Sequence, residues 1–546
     1  MSTIRLPRRS PWFAALALVG ACAPAGSSDF GDAPEIVPNG KADNYYSSIA
    51  SEFEVSGSMR VDMTADEYAD PTVREAKAVE RITALGLYLT GYVTDKFEGI
   101  DENDDGEITE DEIFFHNVGY GGFYAMVRNY SYDDVAVEPS EDGEAGYEVH
   151  FTLDMAGPKN LLSMIPPSAD ANPKPGSLAF ELQMPEGKAV DPDSVPRGDF
   201  RRFDPRDYPG PLETHVLSAR VLPEPSNAYP AYADFVSDGV FDITLFYGYD
   251  YNTARSDLRE AREAFDGLKD LGFKAPVTTF DALDADSGPF IKAIKAGGKS
   301  VRVEVRIFTE PMYTSNRKAQ HDTALSEIAA RDVFFYNGHA GPYFGFYTDE
   351  ARAAQVNYWE FADYPFPTKQ QLVIAQGCQT YSQYADMLYA NPAKSEDNLD
   401  VITTVNYSYG IGTFEILESL VKTDRKGVHT PDDFYTIVSN LNGEWWNRQK
   451  QVFYGVMGID GNAQLHPYAN VDAIGRSCKS NTDCGDAAGN VCASFSGAKT
   501  CAAKAIAPSA CPSGTTHGFL GESGTLTTGV CYGVRKLVRH DSFAMS

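Results

Sequence analysis

The chain has 546 residues, with 46 basic and 77 acidic side chains and a net charge of −31. That balance excludes non-specific nucleic-acid binding, which needs clustered Lys and Arg to displace phosphate counterions. At 43% hydrophobic and 12% aromatic residues, the chain is no disordered acidic tail and has material for three or four packed domains.

Residues 1–22 read as an export signal. Arg5, Arg8 and Arg9 are followed by a short apolar run, Trp12 to Ala21, too short to span a bilayer. The run ends in Val19-Gly20-Ala21-Cys22, which resembles the lipobox of bacterial lipoproteins. That resemblance implies cleavage before Cys22 and lipidation of its thiol. Residues 23–45, rich in Ala, Pro, Gly, Ser and Asp, are expected to form a flexible tether. Ala23 after the cysteine resembles lipoproteins sent to the outer membrane. The expected location is the bacterial cell envelope, outer membrane or cell surface, held through the lipid anchor only.

Residues 46–235 alternate with period two in several stretches: Phe53/Val55, Met59/Val61/Met63, Tyr147 to Met155 and Leu178 to Met184. This predicts a β-rich, sandwich-like domain. A helix is expected over 72–97, with Val79, Ile82, Leu85 and Leu89 on one face. It runs into Asp-Glu-Asn-Asp-Asp-Gly-Glu-Ile-Thr-Glu-Asp-Glu at 101–112, which resembles an EF-hand calcium loop. Asp101, Asn103 and Asp105 stand at loop positions 1, 3 and 5, and Gly106 at the sharp turn. Glu107 offers a carbonyl, Thr109 position 9, and Glu112 the bidentate carboxylate. Calcium is thus the expected cofactor, with no organic one.

From 236 to 470 apolar strands alternate with helices. Strands are expected at 240–247, 301–308, 333–336, 372–375 and 401–405. Helices are expected at 253–270, near 289–296, and at 316–330, 381–390 and 412–422. That order predicts a mostly parallel sheet covered on both faces, with its chemistry at the carboxyl ends of the strands. Two ends stand out: Tyr336-Asn337-Gly338-His339-Ala340-Gly341, and Gln376-Gly377-Cys378-Gln379-Thr380. If these strands are neighbours, His339 and Cys378 emerge at one edge. An imidazole there takes the thiol proton and delivers it to a leaving amine, while glycine-flanked N–H groups face the oxyanion.

The two segments, 39 positions apart at His339 and Cys378, resemble the caspase-like cysteine peptidases (caspases, legumains, gingipains). The resemblance covers roughly 236–450. It implies His339 as general base and acid, Cys378 as nucleophile, and an oxyanion hole from the Cys378 N–H with that of Ala340 or Gly341. It also implies Gln376 as a wall of the substrate pocket. The residue after the histidine is Ala340 rather than the Gly of that group, so the second oxyanion donor stays open. The substrate would be a protein or peptide. Aromatic residues Tyr343, Phe344, Phe346, Tyr358, Trp359, Tyr407 and Tyr409 serve either a cleft or the core. Ala293 to Ser300 imitates the end of a P-loop but lacks its first glycine and precedes a strand, so nucleotide binding is rejected.

Residues 471–546 carry Cys478, Cys484, Cys492, Cys501, Cys511 and Cys531. Six cysteines in an exported chain without Cys-x-x-Cys read as three disulfides, with pairing open. An even six leaves Cys378 as the expected free thiol. The leading expectation is a lipid-anchored cysteine endopeptidase. The alternative is a non-catalytic calcium-binding surface lipoprotein on a decayed fold of the same group. A lone EF-hand should bind calcium at ~10⁻⁴ to 10⁻³ M. Millimolar calcium is therefore expected to raise the melting temperature; a melt unchanged by chelator would refute the loop.

Overall fold

The structure, a computed structural model, describes residues 44–98, 126–137, 145–169, 175–187 and 203–533. Short gaps in the last stretch fall at 204, 207, 252, 314–315, 342–344, 350–353, 450, 487, 496–497 and 521–527. Several sheets and helices divide among three regions.

The first region is one antiparallel sheet of β1 (Ala50–Met63), β2 (Met126–Val137), β3 (Ala145–Pro158), β4 (Leu178–Pro185) and β5 (Leu212–Val221), in the order β2-β3-β1-β5-β4. Its period-two residues, including Phe53, Val55, Tyr147, Val149, Phe180 and Leu182, are buried. The expected sandwich has no second sheet among the described residues. The Pro71–Glu98 helix forms the other layer, burying Val79, Ile82, Leu85 and Leu89. Its 28 residues span about 42 Å, close to the roughly 46 Å of a 14-residue strand, so one helix covers the apolar face.

The second region is a seven-stranded sheet. Its strands are β6 (Val240–Tyr247), β7 (Phe290–Ala296), β8 (Lys299–Phe308), β9 (Val333–Asn337), β10 (Gln371–Gln376), β11 (Leu399–Thr404) and β12 (Tyr454–Met457). The order is β12-β11-β10-β9-β6-β8-β7, with five parallel strands and antiparallel β7 and β12 at the edges. Every residue of β9, β10 and β11 is buried, as both-face cover requires. One face packs with helix Arg317–Ala330, helix Tyr384–Tyr389 and the first region in a shared apolar core. The other packs with helices Ser256–Asp270, Thr413–Val421 and Phe434–Gly443.

The helix expected near 289–296 is strand β7. Its Ile-Lys-Ala-Ile-Lys-Ala pattern fits either period, and the turn decides. Gly297 and Gly298 both have positive φ, 55° and 77°, and join β7 to β8 as a two-residue hairpin. The glycines that imitated a P-loop are that turn.

The third region is a four-stranded sheet: β13 (Asn490–Phe495), β14 (Ala498–Lys504), β15 (Thr516–Leu520) and β16 (Thr528–Tyr532), in the order β13-β14-β16-β15. Its apolar clusters are small. Disulfides Cys478–Cys492, Cys484–Cys501 and Cys511–Cys531 close stretches of 14, 17 and 20 residues, each worth about 3 kcal/mol by loop-closure entropy. The region docks on the second through His466 N–H to Lys504 O and Ile506 N–H to Gln464 O, both 3.0 Å.

Beside that junction His429 is fully buried, with Nδ1 2.7 Å from the Tyr468 hydroxyl and Nε2 2.8 Å from Leu420 O. Burial pushes its pKa down to about 4 from 6.5. The unfolded chain therefore takes a proton that the folded one refuses. The stability is complete above pH 6.5 and is lost as pH falls toward 4, by about 3 kcal/mol over that window. Urea midpoints at pH 7 and pH 4.5 should differ less in His429→Gln than in the parent chain. An equal difference would remove His429 from the acid response.

Candidate functional site

Three adjacent parallel strands build the site. Tyr247 of β6 pairs with Asn337 of β9, which pairs with Gln376 of β10. The ladder continues past the strands: Gly248 N–H donates to Asn337 O at 2.8 Å, and Gly338 N–H to Gln376 O at 3.2 Å. His339 and Cys378 thus each stand two residues beyond the same rung. The crossovers end at one edge because parallel strands share a direction.

His339 is held from several sides. Its Nε2 lies 3.4 Å from Asp250 Oδ1, and Asp250 stands three residues beyond β6. The Tyr251 ring stacks on the imidazole at 4.4 Å, and Tyr347 meets it edge-on at 6.0 Å. The His339 carbonyl accepts from the Tyr336 hydroxyl at 2.5 Å and from Tyr347 N–H at 3.0 Å. Asp250 is itself buried and anchored, its Oδ2 accepting from Ser256 N–H at 3.0 Å and from the Ser256 hydroxyl. A carboxylate in this position selects the imidazole tautomer and stabilises its cation.

Cys378 is 1% exposed, with Sγ 3.6 Å from Ser408 O. It does not stand as the expected free thiol. It is disulfide-bonded, and no described cysteine is free. The six carboxyl-terminal cysteines pair among themselves, so none of them is bonded to Cys378.

The surrounding glycine is sterically required. A Cβ on Gly377 would sit 2.4 Å from the Ala340 Cβ and 3.1 Å from Gly338 O. The His339 and Cys378 loops are therefore in direct contact. Of the two oxyanion alternatives, Gly341 N–H points at the Tyr384 hydroxyl, 3.4 Å away; Ala340 packs on Gly377. Gln376 does not wall a pocket. It is fully buried, its amide nitrogen donating to Ile411 O at 2.7 Å and the Tyr454 hydroxyl at 3.3 Å, while its oxygen accepts from Thr413 Oγ1 at 2.8 Å. It ties β10 to the segment after β11.

Of the aromatic residues, Phe346 and Tyr358 are core, with Phe346 stacked 3.9 Å from Tyr336. Tyr409 lies 6.2 Å from Trp446, which lies 5.7 Å from the exposed Trp445. Tyr343 and Phe344 lie outside the described residues, as do Cys22 and the loop residues Asp101, Asn103, Asp105, Glu107, Thr109 and Glu112. Sequence reasoning missed Asp250, Tyr251 and Ser408. The one signal for Asp250 was an acid just past an apolar strand, useful only once β6 is known to neighbour β9.

Gly377→Ala should destabilise the protein by about 1–3 kcal/mol through overpacking, read as a lower urea midpoint. Ala340→Gly in the same chain should recover much of it; a neutral Gly377→Ala would deny the contact. No protein-family model matches the chain, and neither the curated proteins nor the solved structures contain a match to it.

Proposed function

We propose that the chain is an extracytoplasmic cysteine endopeptidase with His339 and Cys378 as its reacting pair. One observation carries the reading: the β6-β9-β10 register aligns Asp250, His339 and Cys378 along one sheet edge. His339 takes the Cys378 proton, and the thiolate attacks the scissile carbonyl carbon. The tetrahedral oxyanion is met by the Cys378 and Ala340 N–H groups. His339 then protonates the leaving amine, and water hydrolyses the thioester with the same residue as base. Asp250 orients the imidazole throughout. The Tyr409–Trp446–Trp445 line begins one residue from Ser408 and suits an apolar side chain of the peptide. The lipid anchor at Cys22 and the calcium loop at 101–112 belong to the same proposal, as envelope address and structural clamp; a lipidated Cys22 thiol cannot pair with Cys378, and the other six cysteines pair among themselves.

The chemistry requires Cys378 as a free thiol, which lipidation of Cys22 or opening of the Cys378 disulfide would leave. That bond also favours a second reading, a non-catalytic calcium-binding surface protein on the same fold. Reductant separates the two. Full-length protein should cleave a fluorogenic peptide library only after mild reduction, and Cys378→Ala should lose on the order of 10³-fold or more in kcat. Iodoacetamide should label reduced Cys378 rapidly, and slowly in His339→Ala. Peptide cleavage that survives Cys378→Ala would sink the assignment; slow labelling whatever stands at 339 would favour the binding protein.

A further inference from the structure

The eight residues after Cys378 form a strained and heavily braced turn. Gln379 and Gln383 have φ of 58° and 75°, a region that costs a non-glycine residue about 1 kcal/mol or more and persists only when the surroundings enforce it. One brace is β11 and the segment after it. Gln379 N–H donates to Asn406 O at 2.8 Å, Tyr381 N–H to Thr404 O at 2.9 Å, and the Thr404 hydroxyl to Gly377 O. A second is the His339 loop, through the Tyr384 hydroxyl at Gly341.

The third brace comes from the amino-terminal sheet. The Tyr381 hydroxyl donates to Glu52 Oε1 of β1 at 2.7 Å, and Tyr45 N–H donates to Glu52 Oε2 at 3.0 Å. Arg128 of β2, with no exposed surface, forks onto Asp386 at 2.9, 3.0 and 3.1 Å and lies 3.7 Å from Glu52. The Tyr45 ring meets Tyr381 edge-on at 5.1 Å. Burial works against the Arg128 charge, but Asp386 and Glu52 outweigh it and raise its pKa.

A buried ion cluster is an uneconomical way to hold two domains together. Apolar side chains of equal volume usually stabilise as well or better. What the ions add is direction: a guanidinium fork and a tyrosine hydroxyl locate the chain where packing alone leaves it free to slide. Both bonds fall on the segment that carries the nucleophile.

We infer that Arg128 and Glu52 are positioning residues for the Cys378 loop, making the amino-terminal domain part of the catalytic unit rather than a separable module. The inference rests on the peptidase reading above. It is tested on the full-length protein after mild reduction that opens Cys378 and leaves the three carboxyl-terminal disulfides intact, following Cys378 alkylation by iodoacetamide against pH with peptide-resolved mass spectrometry. Three variants are compared: Tyr381→Phe, Arg128→Lys, and the volume-conserving pair Arg128→Met with Asp386→Leu, which guards against a misfolded single variant.

In the parent chain alkylation should follow a thiolate whose midpoint rises in His339→Ala. The paired variant, folded and with a melting temperature near the parent's, should shift that midpoint up by about one pH unit. It should also lower kcat about tenfold with KM within about twofold, as a misplaced nucleophile would. Arg128→Lys, which keeps the charge, should recover part of both. Folded variants with the parent's pH profile and kcat would overturn the positioning role while leaving the peptidase reading intact. A parent thiol indifferent to His339 would overturn both.

Discussion

The parallel register of β6, β9 and β10 is the constraint on which the site depends. Each rung is fixed by backbone hydrogen bonds that continue past the strands through Gly248 and Gly338. A one-residue slip of β10 against β9 would move Cys378 to another level and exchange the faces of every β10 side chain. The apolar faces forbid that slip, because Val373 and Ala375 belong to one core while Leu372 and Ile374 belong to the other. Hydrophobic burial thus sets the register, and the register sets which side chains share the sheet edge. Gly377 then allows the two loops to touch.

The amino-terminal sheet extends the same logic. Its buried face and one face of the central sheet belong to a single apolar core. Tyr46 pairs with Val456 on β12, and Ser47 donates to Tyr454 O at 2.6 Å, so the chain entering β1 is stitched to the far edge of the central sheet. Glu52 and Arg128 add directional bonds within an otherwise apolar contact. A domain of this kind is difficult to remove without exposing apolar surface and an unpaired guanidinium.

Cysteine chemistry divides along the chain. Three disulfides staple a carboxyl-terminal sheet whose apolar clusters are too small to hold it alone. Cys378 sits in the opposite setting, inside a large packed core. There a disulfide and the thiolate that the proposed chemistry needs are alternative states of one sulfur.

Much of this architecture is written locally. The continuous apolar runs Val333–Tyr336 and Leu372–Ala375, the polar residues that follow them, and the apolar face of the Pro71–Glu98 helix are visible by periodicity alone. The clustering of six cysteines likewise shows disulfides without showing which pair. Periodicity reports which residues seek burial, not which strands meet. The order that makes β6 the neighbour of β9 brings Asp250 to His339 across 89 positions, and Arg128 reaches Asp386 across 258. Nothing local signals either contact. The same limit explains why a sandwich was expected where one helix covers one sheet, and why β7 read as a helix until two positive-φ glycines closed a hairpin. The sequence by itself determined the candidate nucleophile and base and the elements that present them. Only tertiary structure decided their shared level, the acid behind the histidine and the bonded state of Cys378, because each depends on partners distant in the chain.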